Sequence, residues 1–223
     1  MLDTTSARQA LVVRGGWEGH NPVEATERFI PFLKEHGFDV EVHDGPEVYA
    51  DAERLAETDL VVQCFTQGVA TDEQVLGLSA AVANGTGLAG WHGGVVDSFR
   101  GSPDYLHLTG GQWAAHPGGF VEYEVAVVPE RADHQIVIGL DRWELNTEQY
   151  WVLTDDLNDV LATTTFEVRD DTPWRADLTC PAVWTRQWGK GQVFVSTMGH
   201  KLEDLDHPDV RTLTERGLLW ASR

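Results

Sequence analysis

Leu88-Ala89-Gly90-Trp91-His92-Gly93-Gly94 decides how this chain is read. A short apolar run enters a glycine-rich turn with a histidine at its apex. Such uninterrupted apolar runs mark strands buried on both faces of a parallel sheet. The glycines permit the sharp strand-to-helix turn of a nucleophile elbow, whose central residue projects from the sheet. A hydrolase would place Ser or Cys at that apex. An imidazole there is better suited to ligate a metal or to act as a general base.

Two other segments repeat the arrangement. Ala10-Leu11-Val12-Val13 leads into Arg14-Gly15-Gly16-Trp17-Glu18-Gly19-His20, and Gln192 to Ser196 leads into Thr197-Met198-Gly199-His200. Ligands of open α/β sheets bind beyond the carboxyl ends of the strands. His20, His92 and His200 are therefore expected to meet in one pocket.

The intervening sequence supplies the rest of a βαβ rhythm. Asn21-Pro22-Val23-Glu24 predicts a helix capped by Asn21, with Pro22 in its first position and Glu24 reaching back. Its apolar stripe is Val23, Phe29, Ile30 and Leu33, and Gly37 ends it. Phe38 to Val42 alternates like a strand near an edge. A short helix around Ala52 to Ala56 precedes the strand Leu60-Val61-Val62. Thr71-x-x-Gln74 is a capping box opening a helix with Val75, Leu78 and Val82 inward, stopped at Asn84-Gly85-Thr86-Gly87. The second half differs. Phe120 to Val128, Arg142 to Leu153 and Val160 to Val168 hold antiparallel strand candidates. Trp188-Gly189-Lys190-Gly191 is a hairpin turn between Ala182–Gln187 and Gln192–Ser196. His207-Pro208-Asp209 opens a last helix through Trp220, with Val210, Leu213 and Leu218 inward. With no linker, repeat or low-complexity tract, residues 1–223 read as one domain, with disorder expected only over Met1 to Ser6.

Composition narrows the function. The chain carries 36 acidic and 16 basic residues, a formal charge of −20. Such a surface repels phosphate backbones and anionic membranes, which argues against nucleic acid and membrane partners. Acidic solubilisation is the plain explanation, and salt adaptation of the source is the alternative. No apolar stretch is long enough to span a bilayer or to form a secretory signal, so a cytoplasmic location is expected. Cys64 and Cys180 lack Cys-x-x-Cys spacing, which excludes a thiolate zinc site. Cys64 reads as a buried, inert thiol. The Gly15 to His20 loop fits neither Gly-x-Gly-x-x-Gly nor the P-loop, so no nucleotide cofactor is expected.

Other residues could complete a site. Glu148, in Asn146-Thr147-Glu148-Gln149-Tyr150-Trp151, is the carboxylate that would join the three histidines around a divalent ion; the alternative is an exposed strand residue. His116, on an irregular glycine-rich loop, and Glu18 are candidate bases. Of nine tryptophans, Trp17, Trp91 and Trp113 lie in the ligand-bearing loops. With Tyr150 they are candidate substrate-binding residues, the plainer account being packing. His36 is expected to bond helix-terminal carbonyls. His43, His107 and His207 read as surface or turn residues.

A family resemblance rests on Gly90 to Gly94; on Gly110-Gly111-Gln112-Trp113-Ala114-Ala115-His116-Pro117; on Asp133-His134 with Gly139-Leu140; and on Glu148-Gln149-Tyr150. It continues through Pro181 to Thr185, Gly189 to Phe194, and Met198-Gly199-His200. In that order and spacing the chain resembles the ThuA-like (trehalose utilisation) family over almost its whole length. The resemblance implies an α/β fold similar to class I glutamine amidotransferases. This is a flavodoxin-like, doubly wound, mostly parallel sheet with helices on both faces, here with an antiparallel β extension in the second half. It implies that His92 stands where those enzymes keep their cysteine, so glutaminase chemistry is disfavoured. It also implies a role in catabolism of disaccharides and other glycosides, in functional pairing with sugar oxidoreductases. His134 matches a family position but reads as structural.

Three functions are expected, in descending order. The first is a metal-dependent enzyme acting on a disaccharide or keto-glycoside. It would use zinc, manganese or iron on His20, His92, Glu148 and His200, with His92, His116 and Glu18 as catalytic candidates. The second is a non-catalytic sugar-binding or regulatory module. The third is a metal-independent hydrolase using Cys64. Exposed edge strands leave homo-oligomerisation open.

Overall fold

The computed structural model describes residues 7–223, so the expectation for Met1 to Ser6 falls outside the described residues. The first half alternates as read. Strand β1 (Arg8–Gly16) runs into a 3-10 turn, Glu18–His20, then helices α1 (Pro22–Glu27) and α2 (Ile30–Glu35). Next come β2 (Phe38–His43), α3 (Ala52–Glu57), β3 (Leu60–Thr66), α4 (Asp72–Asn84) and β4 (Gly87–Trp91). After the elbow follow α5 (Gly93–Val96), α6 (Pro103–Thr109), β5 (Gly111–Ala115), β6 (Phe120–Val127), β7 (Arg142–Glu148), β8 (Trp151–Thr154), β9 (Asp159–Phe166), β10 (Leu178–Trp188) and β11 (Gly191–Ser196). Helices α7 (Leu202–Asp206) and α8 (Pro208–Ala221) close the chain.

Nine strands form one sheet in the order β2-β1-β3-β4-β11-β10-β9-β6-β7, and β5 pairs with β8 separately. The block β2-β1-β3-β4-β11 is parallel, with the strand order of a flavodoxin-like doubly wound sheet. The antiparallel extension continues the same sheet from β10 outward. Side chains alternate across the parallel strands. Ala10, Val12, Leu60, Val62, Ala89 and Trp91 meet Phe29, Leu33, Leu213 and Leu218 on one face. Leu11, Val13, Val61 and Leu88 meet Val75, Leu78 and Val82 on the other.

Three local expectations are corrected. The 22–36 segment is two helices, because Pro31 lacks a backbone N–H and its ring clashes with the preceding turn. Asn21 makes no side-chain cap: its backbone sits in the left-handed region at φ 46°. Val23 is 43% exposed and so lies outside the apolar stripe. The Thr71–Gln74 capping box forms in both directions.

The elbow fits only because its neighbours lack side chains. A Cβ at Gly90 would lie 2.5 Å from Gln63 O and 2.7 Å from Val95 Cβ, and one at Gly94 would lie 2.8 Å from Cys64 Cα. Gly90→Ala is therefore expected to lower stability by roughly 1–3 kcal/mol in chemical denaturation. Gly101→Ala, with nothing within 4 Å of the added Cβ, should stay within about 0.5 kcal/mol of the parent. Equal stability of the two variants would contradict the close approach of β4 and β3.

Candidate functional site

Four strand ends build the site. His20 sits on the 3-10 turn after β1, His92 at the apex after β4, His200 beyond β11, and Glu148 at the last position of β7. His92 has φ 48° and ψ −144°, a conformation costing an L-residue on the order of 1–3 kcal/mol. His92 N–H donates to Ser196 O at 2.7 Å, which ties the apex to the end of β11. Gly93 leaves room for His20: a Cβ there would lie 2.4 Å from His20 Cε1.

Glu148 lies on the outermost strand of the extension, yet its Oε2 is 3.1 Å from His200 Nδ1 and 3.3 Å from His92 Nε2. The coiling of the sheet brings it back over the parallel half, and a buried clasp fixes it there. Asp204 Oδ2 accepts from Thr147 Oγ1 at 2.7 Å and from Lys201 N at 2.9 Å. One carboxylate thus holds the neighbours of Glu148 and of His200. The ring centroids of His20, His92 and His200 lie 4.6 to 5.4 Å apart.

Second partners orient the rings. His92 Nδ1 lies 2.9 Å from Thr197 O, a carbonyl that can only accept. The ring proton is therefore on Nδ1, and the bare Nε2 points at the cluster. Nε2 is buried and, like His200 Nδ1, makes no aligned hydrogen bond among the described residues, although both lie within 3.3 Å of Glu148 Oε2. His20 Nδ1 shares a hydrogen bond of 2.9 Å with buried Thr66 Oγ1, at the end of β3, which leaves Nε2 free.

Electrostatics sharpen the demand for a cation. Burial lowers the His20 pKa to about 3, helped by neighbouring His92 and His200. Burial also lowers that of His92, against the raising effects of Glu148 and Thr197. At Glu148, burial pushes the carboxyl up, but His200 and His92 pull it down further, an effect that needs positive charge or a proton on the cluster side of those rings. The carboxylate requires positive charge opposite it, while burial withholds protons from His20 and His92. A divalent ion meets both conditions. The ligand atoms of His20, His92, Glu148 and His200 lie within 4.8 Å of one another. Tetrahedral coordination at about 2.1 Å spaces ligands roughly 3.4 Å apart, close to the two Glu148 separations. Three nitrogens and one carboxylate suit zinc, manganese or iron.

The remaining candidates divide. His116 Nε2 is 3.6 Å from Glu148 Oε1. Tyr150 stacks on His92, with centroids 4.0 Å apart. Trp113 lies 5.7 Å from His116, and Trp17 stands edge-on to His20 at 4.7 Å. Trp91 does not join them. It is buried against Phe29 on the opposite face of β4, as two-residue alternation from His92 requires. Glu18 is exposed, and its carboxylate is not among the clustered ligand atoms. Cys64 is buried with its thiol pushed up to about 12 by desolvation, which removes the nucleophile of the third expected function. His36 bonds Phe32 O, and His134 accepts from Ile136 N in a turn. His207 caps α8.

Sequence reading missed Thr66, the Thr147–Asp204 clasp and Phe120. Thr66 stands at a strand end like the histidines and was open to the same argument. Phe120 pairs across the strands with Glu148 and meets His200 at 4.9 Å. Nothing in its local sequence marks it.

A flavodoxin-like sheet with a buried three-histidine, one-carboxylate cluster at its strand ends defines the class of protein. The family described as trehalose utilisation (ThuA) matches residues 9–221, and the chain belongs to it. No curated protein matches the sequence. Among solved structures, a ThuA-like protein from Parabacteroides merdae aligns with TM-score 0.75 and 18% identity, over 97% of this chain and 90% of that one. A ThuA-like protein from Bacteroides uniformis aligns with TM-score 0.73 and 17% identity, over 96% and 91%. A cytoplasmic protein from Salmonella typhimurium LT2 aligns with TM-score 0.64 and 13% identity, over 96% and 100%. At these identities the likeness is one of fold. No helix among the described residues is long and apolar enough to cross a membrane.

The lowered His20 pKa has a signed consequence for the metal-free protein. The unfolded chain binds this proton near pH 6.5 and the folded chain only near 3. The contribution of neutral His20 is complete above 6.5 and is lost as pH falls towards 3. The expected slope is about 1.4 kcal/mol per pH unit for one such proton. Urea unfolding in chelator between pH 6.5 and 4 measures it. His20→Gln should flatten the slope by about that amount, and an unchanged slope would refute the assignment.

Proposed function

We propose that this protein is a metal-dependent enzyme of carbohydrate catabolism that cleaves an oxidised (keto) glycoside. The observation carrying this reading is the bare, buried Nε2 of His92. Its tautomer is set by Thr197 O, and it faces the Glu148 carboxylate with no aligned hydrogen bond among the described residues. Such an arrangement is poor as packing, since an unpartnered buried polar atom costs about 1–3 kcal/mol, and good as a ligand set. The family's trehalose utilisation description supports a sugar as the substrate.

His20, His92, Glu148 and His200 would hold the ion. When bound, a divalent ion supplies Lewis acidity at a substrate carbonyl. His116, beside Glu148 and partly open to solvent, takes the proton from the carbon next to that carbonyl. The electron pair of the broken C–H bond forms a carbon–carbon double bond. The glycosidic C–O bond at the neighbouring carbon breaks, and the leaving oxygen takes up a proton to depart as an alcohol. Tyr150 braces the His92 ring from its stacked position, and Trp17 and Trp113 offer apolar faces to the sugar. A keto substrate requires prior oxidation of a hydroxyl, so the protein would act after a sugar oxidoreductase.

Incubation of a 3-keto disaccharide with protein loaded with zinc, manganese or iron should release the aglycone. His92→Ala and His200→Ala should each lower metal content and reduce the rate at least 100-fold. His116→Ala should reduce the rate by roughly 100-fold or more while leaving metal content intact. Full activity in chelated protein, or in the His92 variant, would sink this reading. Sugar affinity without metal or turnover would assign the non-catalytic role instead.

A further inference from the structure

Two aromatic groups flank the cluster, one beside His116 and the other beside His20 and His200, and they differ in kind. On one side, Trp113 lies beside His116, and the Arg100 guanidinium sits 4.5 Å from its ring centroid. Arg100 is itself held by both oxygens of Asp97. Trp113 Nε1 and His116 Nδ1 are buried and have no hydrogen-bond partner among the described residues. Indole N–H is a donor only and His116 Nδ1 either donates or accepts, so this side lacks polar partners of the kind that ring hydroxyls supply. On the other side, Trp17 and Phe120 are 47% and 54% exposed and stand against His20 and His200. Lys201 Nζ lies 4.9 Å from the Phe120 centroid. Its ammonium is engaged by Asn146 O, which ties the Phe120 platform to β7. Neither aromatic platform carries an unpartnered buried polar atom.

We infer that the site has two unlike subsites: a hydrogen-bonding one at Trp113 and His116 for the glycone, and a stacking one at Trp17 and Phe120 for the aglycone ring. This rests on the sugar reading above. The glycone side sets specificity, because an unpaired buried N–H penalises a ring lacking the matching hydroxyl. The aglycone side reads only a flat or apolar ring face and tolerates aryl as well as sugar aglycones.

Calorimetric titration of the intact protein with methyl α-glucopyranoside and with phenyl α-glucopyranoside tests the division. The phenyl glycoside should bind about tenfold more tightly, the gain expected of one or two aromatic contacts. In Trp17→Ala/Phe120→Ala, both exposed positions, the gap should shrink to about twofold or less. Trp113→Phe, which removes the N–H and leaves a smaller aromatic ring, should weaken both ligands alike. The inference is overturned if the parent shows no gap, if the gap survives the double substitution, or if neither glycoside binds. Metal content of the same samples separates this from the function above. Metal-free protein that keeps the phenyl preference retains the subsites and removes the metal reading. Metal-loaded protein without the preference does the reverse.

Discussion

The site depends on a histidine fixed in an uncommon backbone conformation with its only ring proton committed elsewhere. His92 stands at φ 48° and ψ −144°, and its Nδ1 donates to Thr197 O. The first condition aims the side chain off the end of the sheet, and the second aims a lone pair at the centre of the cluster. Strain at such a position persists only where the surroundings over-determine it. Here Gly90 and Gly94 admit β3 and Val95, Gly93 admits His20, and the backbone bond to Ser196 O closes the arrangement. The fold therefore spends conformational freedom to place one nitrogen.

The second half of the chain supplies what the parallel sheet lacks, a negative charge. Three of the five parallel strands, β1, β4 and β11, lead into the histidines that cluster, but no carboxylate of the parallel block joins them. Glu148 arrives on the outermost antiparallel strand and is held there by the clasp of Thr147, Asp204 and Lys201. The extension also carries Phe120 opposite Glu148. It thus contributes both the carboxylate and a wall of the site.

Much of this was legible in the residues. Uninterrupted apolar runs gave the buried strands, glycine and capping patterns gave their boundaries, and the strand-end rule gathered His20, His92 and His200. What escaped depends on distance in three dimensions. Glu148 is legible as the candidate carboxylate from its residue type and context, and the structure brings it to the histidines; the twist across the extension that carries it there is encoded by no local pattern. Asp204 looks like any residue early in a helix until Thr147 donates to it from fifty-seven residues away. Trp91 is the instructive error. Its neighbourhood to His92 in sequence suggested a pocket aromatic, whereas strand alternation sends the adjacent side chain to the opposite face, against Phe29. Pro31 likewise divides a helix that its apolar stripe reads as continuous.

In the proposed function, four side chains from four strand ends share one divalent ion. Anomalous diffraction from crystals grown with zinc or manganese, recorded on both sides of the metal's absorption edge, tests this directly. The expected result is one strong peak bonded by His20, His92 Nε2, Glu148 and His200. A map with no peak there, or with the ion held by other residues, would contradict it.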